Sequence, residues 1–243
     1  QGVASPNAKL QLCGLTEKDL QDLDWAAAND VDFVGMSFVR RPEDIERIKQ
    51  ELKHRNCHAH VVAKIEKAEA LDCLDDIIRL TDVVMVARGD LGVEVDLARV
   101  PMIQKRIIDR CRALGVPVIT ATQMLESMRL SNRPTRAEVT DVANAILDGT
   151  DAIMLSAETA SGQFPVEAVS MMNRIAQETE KSLAHQPISL DVLPGRESSL
   201  SEVVHATIQA TGVLAEQAKA SLVIVTTRTG RAAIALSYSR ALR

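Results

Sequence analysis

The sequence predicts an α/β fold built on a parallel sheet, and three observations carry that expectation. Apolar stretches suited to strands alternate with segments of helical periodicity along most of the chain. The strand-like stretches, such as Val83-Val84-Met85-Val86-Ala87, are continuous apolar runs, the pattern of strands covered by helices. The residues are 46% hydrophobic but only 2% aromatic, so Ala, Val, Ile and Leu supply the packing, as suits helices laid on buried strands.

The elements follow in order. Thr16 is placed to cap a first helix, in which Leu20, Leu23 and Ala27 recur at helical spacing. A strand over 33–39 comes next. Pro42 then opens a helix to about residue 55, because proline is tolerated in a first turn and Glu43 and Asp44 are favoured there by the helix dipole. A strand over 60–65, a helix over about 68–80 and a strand over 82–87 continue the alternation. Further on come a helix over about 100–114, a strand over 116–120, a helix over about 135–147 and a strand over 152–156. A long helix runs from Pro165 to about residue 184. Pro187, Pro194, Gly195 and several serines mark 186–199 as a linker between a first unit, 1–185, and a second, 200–243. The second unit predicts a helix over 200–219, a short strand over 221–226 and the start of another helix over 230–239.

Composition narrows the function. Lys plus Arg number 28 against 33 Asp plus Glu, and the net charge of −5 gives no global attraction to nucleic acid or to an anionic membrane. Scarce aromatics argue against a base-stacking surface, and the apolar runs are too short to span a bilayer. Cys13, Cys57, Cys73 and Cys111 are irregularly spaced with no Cys-x-x-Cys pair, which predicts a reduced, cytoplasmic setting. Cys57-His58-Ala59-His60 falls between a charged helix and a strand and reads as a solvated loop, since structural zinc needs four ligands and no second cluster completes the set.

The chemistry concentrates at strand ends. Lys64 and Glu66 are two apart at the end of an apolar strand, so an ammonium and a carboxylate leave it on one face, as suits a metal-assisted phosphoryl or enolate site. The next apolar run ends in Arg88-Gly89-Asp90-Leu91-Gly92, which adds a carboxylate and glycines that let an anionic ligand approach the backbone.

These motifs resemble those of the pyruvate kinase family. Lys64-Ile65-Glu66, Ala87-Arg88-Gly89-Asp90 and Ala121-Thr122-Gln123-Met124-Leu125-Glu126 arrive in that family's order. Arg133-Pro134-Thr135-Arg136-Ala137-Glu138, Asp141-Val142-Ala143-Asn144 and Met154-Leu155-Ser156-Ala157-Glu158-Thr159 follow. Gln1 is no initiator and the first methionine, Met36, lies inside the match, so the chain reads as a fragment. The resemblance implies a partial (β/α)8 TIM-type barrel of about five βα units, followed by the start of a C-terminal α/β domain. The first barrel strands and an inserted lid domain would lie outside this chain.

The resemblance also implies an activity: transfer of the phosphoryl group of phosphoenolpyruvate to ADP, giving ATP and pyruvate, the last step of glycolysis. Glu66 and Asp90 would bind Mg²⁺ or Mn²⁺. Lys64 would be catalytic and touch substrate, neutralising charge on the transferred phosphoryl and on the enolate oxygen. Ala87, Arg88 and Gly89 would form a turn whose N–H groups grip the substrate carboxylate together with Asp90, with Arg88 either binding substrate or bracing the turn. Thr122 would help relay the proton to the enolate carbon, or else cap a helix starting at Gln123-Met124-Leu125. Ser156 and Glu158 would support hydrogen bonding at the mouth.

A K⁺ ion is implied as well, with ligands outside this chain, as are most ADP ligands and a homo-oligomer, a homotetramer in the family. Ser161-Gly162-Gln163 stands where family members often carry a lysine, which removes one nucleotide-phosphate contact. Thr227, Thr229, Gly230 and Arg231 resemble a loop that binds a phosphorylated effector, although Ala232 replaces a usual hydroxyl. The competing expectation is a metal-dependent aldolase or lyase of the wider phosphoenolpyruvate and pyruvate barrel group, which shares the Glu and Asp ligands but lacks the run from Ala121 to Glu138.

Overall fold

The computed structural model describes residues 14–183, 202–228 and 230–238, and strand and helix alternate through 14–183 as the sequence predicts. Helix α1 (Glu17–Ala28) opens on a capping box: the Thr16 hydroxyl accepts from Asp19 N–H, and Asp19 accepts in return from Thr16 N–H. Strand β1 (Phe33–Met36) is shorter than the predicted 33–39. The ladder ends there because Phe38 turns to a φ of 55° and donates its N–H to Glu66 instead. Helix α2 (Pro42–His54) and strand β2 (His60–Ile65) match their predicted spans closely. The segment expected as one helix over 68–80 is a 3-10 turn (Ala68–Leu71) and then helix α3 (Leu74–Leu80), since Cys73 between them takes a non-helical φ of −123°.

Strand β3 (Val83–Ala87) leads into helix α4 (Arg88–Glu94), which replaces the expected turn at 87–89. Helix α5 (Val100–Leu114) ends at Gly115 in the left-handed region, and strand β4 (Val118–Ala121) follows. Helix α6 (Arg136–Asp148) starts on a second capping box, Thr135 with Glu138. It stops at Gly149, where φ is 103° and an added Cβ would meet Arg112 Cδ at 2.8 Å. Strand β5 (Ala152–Met154), helix α7 (Ala157–Ala160) and helix α8 (Pro165–Leu183) follow.

All five strands pair in parallel, in the order β1-β2-β3-β4-β5. Strictly sequential order winds the sheet one way, as in a barrel; a doubly wound sheet would reverse it. Among the described residues no pairing joins β5 to β1, so the sheet there is an open segment of a barrel.

Strand residues divide between the two faces. Val61, Ala63, Ile65, Val84, Val86 and Val118 are buried with Ile45, Ile48 and Leu52 of α2, Ile77 and Ile78 of α3, and Ile107 and Ile108 of α5. Each buried Val, Leu or Ile side chain of this set contributes about 1.5–3 kcal/mol of apolar burial. The alternate residues occupy the other face, which is less covered: Phe33 is 57% exposed. A second apolar cluster joins Met124, Leu125 and Met128 to α6 and α8 through Val142, Ala145, Met172 and Ile175.

Beyond residue 201, helices α9 (Glu202–Gln217) and α10 (Arg231–Tyr238) pack on each other. The strand expected over 221–226 does not form; among the described residues no strand offers it a hydrogen-bonding edge, and Ile224 is 85% exposed. The predicted linker at 186–199 lies outside the described residues.

Candidate active site

The sequence-predicted residues gather at the C-terminal ends of β2, β3 and β4, the edge where barrel enzymes carry their chemistry. Register sets this up: Lys64 pairs with Met85, and Ala87 with Ala121, so the three strands finish level. Lys64 Nζ lies 2.6 Å from Glu66 Oε1 and donates to Ser37 Oγ at 2.9 Å. Glu66 is 1% exposed, and its Oε2 accepts from Phe38 N–H at 2.7 Å. Its Oε1 is ion-paired with Lys64 but has no aligned hydrogen bond. A buried carboxylate oxygen in that condition suits a cationic ligand. Ser37 and Phe38 were not singled out by sequence reasoning, because the signal is a left-handed backbone at Phe38 that folds the β1–α2 loop back onto β2. Lys67 closes the rim, pairing with Glu94 at 2.6 Å and standing 5.6 Å from the Phe38 ring centroid.

Ala87 precedes the first turn of α4, and Asp90 is an exposed carboxylate within that turn. The chain continues helically from Arg88 because Arg88 is anchored on both sides of its guanidinium. It is 9% exposed, donates twice to Thr122 O at 3.2 and 2.7 Å, and reaches Gln104 Oε1 at 3.3 Å. Its charge is met by Asp141 of α6 at 2.7 Å. Of the two roles left open for this side chain, the geometry is that of a brace.

Thr122 lies directly across from this turn and its hydroxyl accepts from Gly89 N–H at 2.9 Å. No helix starts at Gln123, contrary to one expectation; Thr122 and Gln123 take φ of 70° and 55°, two consecutive left-handed residues. The N-terminus that Thr122 satisfies is therefore that of α4. Glu158, fully buried, accepts from Leu125 N–H at 3.0 Å and from Ser156 N–H at 2.8 Å, holding the β4 and β5 loops together. Gly162 follows at a crowded point, where an added Cβ would meet Glu158 O at 2.3 Å. Position 162 therefore has no room for a side chain.

Among the described residues, no group of three or more His, Cys, Asp or Glu could hold a metal ion. Glu66 follows the end of β2 and Asp90 sits in the first turn of α4, and two such carboxylates are a donor set that fits a hard divalent cation taking its remaining oxygens from substrate and water. Nearer the C-terminus, Gly230 has a φ of 76° and donates its N–H to Thr227 Oγ at 3.1 Å, and α10 starts at Arg231. Thr229 lies outside the described residues. No described helix is long and apolar enough to cross a membrane.

Comparison with known proteins agrees with this geometry. The family model described as pyruvate kinase, barrel domain, matches residues 1–169. The chain is 45% identical over 241 residues to a pyruvate kinase of Clostridium acetobutylicum, covering 99% of this chain and 50% of the relative. It is 52% identical over 189 residues to a pyruvate kinase of Bacillus licheniformis, covering 77% of this chain and 32% of that protein. To pyruvate kinase 2 of Synechocystis it is 46% identical over 241 residues, covering 99% and 39% respectively. The chain thus spans about half or less of the length of these curated relatives. The open run of parallel βα units and the match along most of the chain lead to one assignment: this chain belongs to the pyruvate kinase family.

Proposed function

We propose that the full-length protein carrying this chain transfers the phosphoryl group of phosphoenolpyruvate to ADP, forming pyruvate and ATP in the cytoplasm, and that it works as a homo-oligomer. The observation that carries this reading is the Lys64–Glu66 ion pair at the end of β2, beside strands β3 and β4 that finish level with it and lead into Asp90 and Thr122. Phosphoryl transfer asks a protein mainly for positioning and for positive charge near developing negative charge.

Each residue has a share. Glu66 and Asp90 would hold Mg²⁺ or Mn²⁺, which when bound supplies positive charge against the substrate oxygens. Lys64, kept in place by Ser37 and Glu66, neutralises charge on the transferred group and on the enolate oxygen left behind. The Ala87–Asp90 backbone at the start of α4 offers N–H groups to the substrate carboxylate. Thr122 accepts from Gly89 N–H, so its own O–H is free to donate toward the enolate carbon, with a water chain supplying the proton. K⁺ and most ADP ligands would come from segments outside this chain, and the loop from Thr227 to Arg231 would take a phosphorylated effector.

The test is replacement of the two carboxylates in the full-length protein. Glu66→Gln and Asp90→Asn are expected to weaken Mn²⁺ binding in a direct titration and to abolish most turnover. Wild-type turnover by Asp90→Asn at ordinary Mg²⁺ would overturn the assignment.

A further inference from the structure

The two left-handed residues at Thr122 and Gln123 need an explanation. A single non-glycine residue at positive φ is uncommon, and a β-branched one is an outlier that persists only where its surroundings over-determine it. Two in succession at the end of β4 are held by contacts from two other elements, α4 and α7. Arg88, at the start of α4, grips Thr122 O with two N–H groups. Gly89 N–H fixes the Thr122 hydroxyl. Glu158, in α7, takes the N–H of Leu125 three residues along the chain.

We propose that Arg88 and Glu158 form a clamp that imposes the left-handed bend at 122–123, and that Arg88 is a positioning residue for the Thr122 hydroxyl. This rests on the reading of Thr122 as the proton-relaying group. Gln104 of α5 and Asp141 of α6 fix the guanidinium itself, so its orientation is set by two helices as well as by the loop it holds. Arginine is required because one planar fork meets Thr122 O with two nitrogens while a third faces Asp141, a geometry that a lysine ammonium does not reproduce. Once the clamp loosens, Thr122 and Gln123 relax toward ordinary φ values and the hydroxyl leaves Gly89.

The clamp predicts a specific rescue. Gln123 is exposed, and glycine adopts its φ without steric cost, so Gln123→Gly lowers the drive to relax. In the full-length protein, Arg88→Lys is expected to lower kcat roughly 10²-fold with a small change in KM for phosphoenolpyruvate. The double variant Arg88→Lys with Gln123→Gly is expected to recover part of that loss. Amide hydrogen exchange gives a readout that does not depend on turnover: Arg88→Lys should speed exchange at Gly89 and Leu125 roughly tenfold, and the double variant should slow it again. If Arg88→Lys does not fold, Asp141→Asn carries the same test, leaving the arginine in place without its countercharge. Unchanged exchange at Gly89, or equal kcat in the single and double variants, would overturn the clamp. A wild-type protein without turnover on phosphoenolpyruvate and ADP would instead sink the functional reading, and exchange alone would then judge the clamp.

Discussion

At the scale of single residues, Lys64 is placed by neighbours that differ in kind. Glu66 supplies charge, while Ser37 supplies one neutral hydrogen bond from the β1–α2 loop. Lys64→Met in the full-length protein is expected to cut turnover roughly 10³-fold while affinity for phosphoenolpyruvate changes little, the pattern of a contact made mainly in the transition state. A large rise in KM at unchanged kcat would assign Lys64 to plain binding. Ser37→Ala removes about 1 kcal/mol of orientation, so a loss of roughly fivefold in kcat is expected, measurable in a coupled assay. Lys64 and Glu66 were legible in the sequence because strand periodicity puts them on one face. Ser37 was not, because only the left-handed turn at Phe38 brings its loop over β2.

Among the elements, α6 shows how capping and site support coincide. Glu138 closes the box with Thr135 and also accepts from Ser127 N–H at 2.7 Å and from its hydroxyl at 2.5 Å, tying the helix start to the loop after β4. Burial pushes the Glu138 carboxyl up, but the hydrogen bonds from Ser127 and Thr135 outweigh it and hold the group below its ordinary 4.5. A carboxylate with a depressed folded value gives stability that is fully present above 4.5 and lost as pH falls through that lower value. Glu138→Gln should therefore destabilise the protein most above about pH 5, and the difference from wild type should shrink in acid, as read by urea unfolding at several pH values. A penalty that stays constant down to about pH 3 would contradict the charged role. Gly162→Ala tests the neighbouring crowding: with Glu158 O only 2.3 Å from the added carbon, a loss of about 1–3 kcal/mol is expected from the same measurement.

For the whole molecule, the outstanding feature is a parallel sheet whose outer strands, β1 and β5, have no further strand beside them among the described residues. Unpaired N–H and C=O groups along such edges favour pairing with another chain. The purified 243-residue chain is expected to self-associate in sedimentation velocity and to show no detectable turnover with phosphoenolpyruvate, ADP, Mg²⁺ and K⁺; normal turnover from a monomer would refute this. The sequence by itself determined the order and type of the five strands and of helices α1, α2, α5, α6 and α8, because continuous apolar runs, helical spacing and a capping threonine are local signals. It also named Lys64 and Glu66, since their spacing along a strand fixes their shared face, and Asp90, since it closes the motif after the next apolar run. Only the tertiary structure decided that the segment after β3 is a helix and that 221–226 is not a strand, since each outcome depends on partners distant in sequence. The same holds for the left-handed bend at Thr122 and Gln123: its cause is a guanidinium 34 residues upstream and a carboxylate 33 residues beyond Leu125, and no local pattern records either.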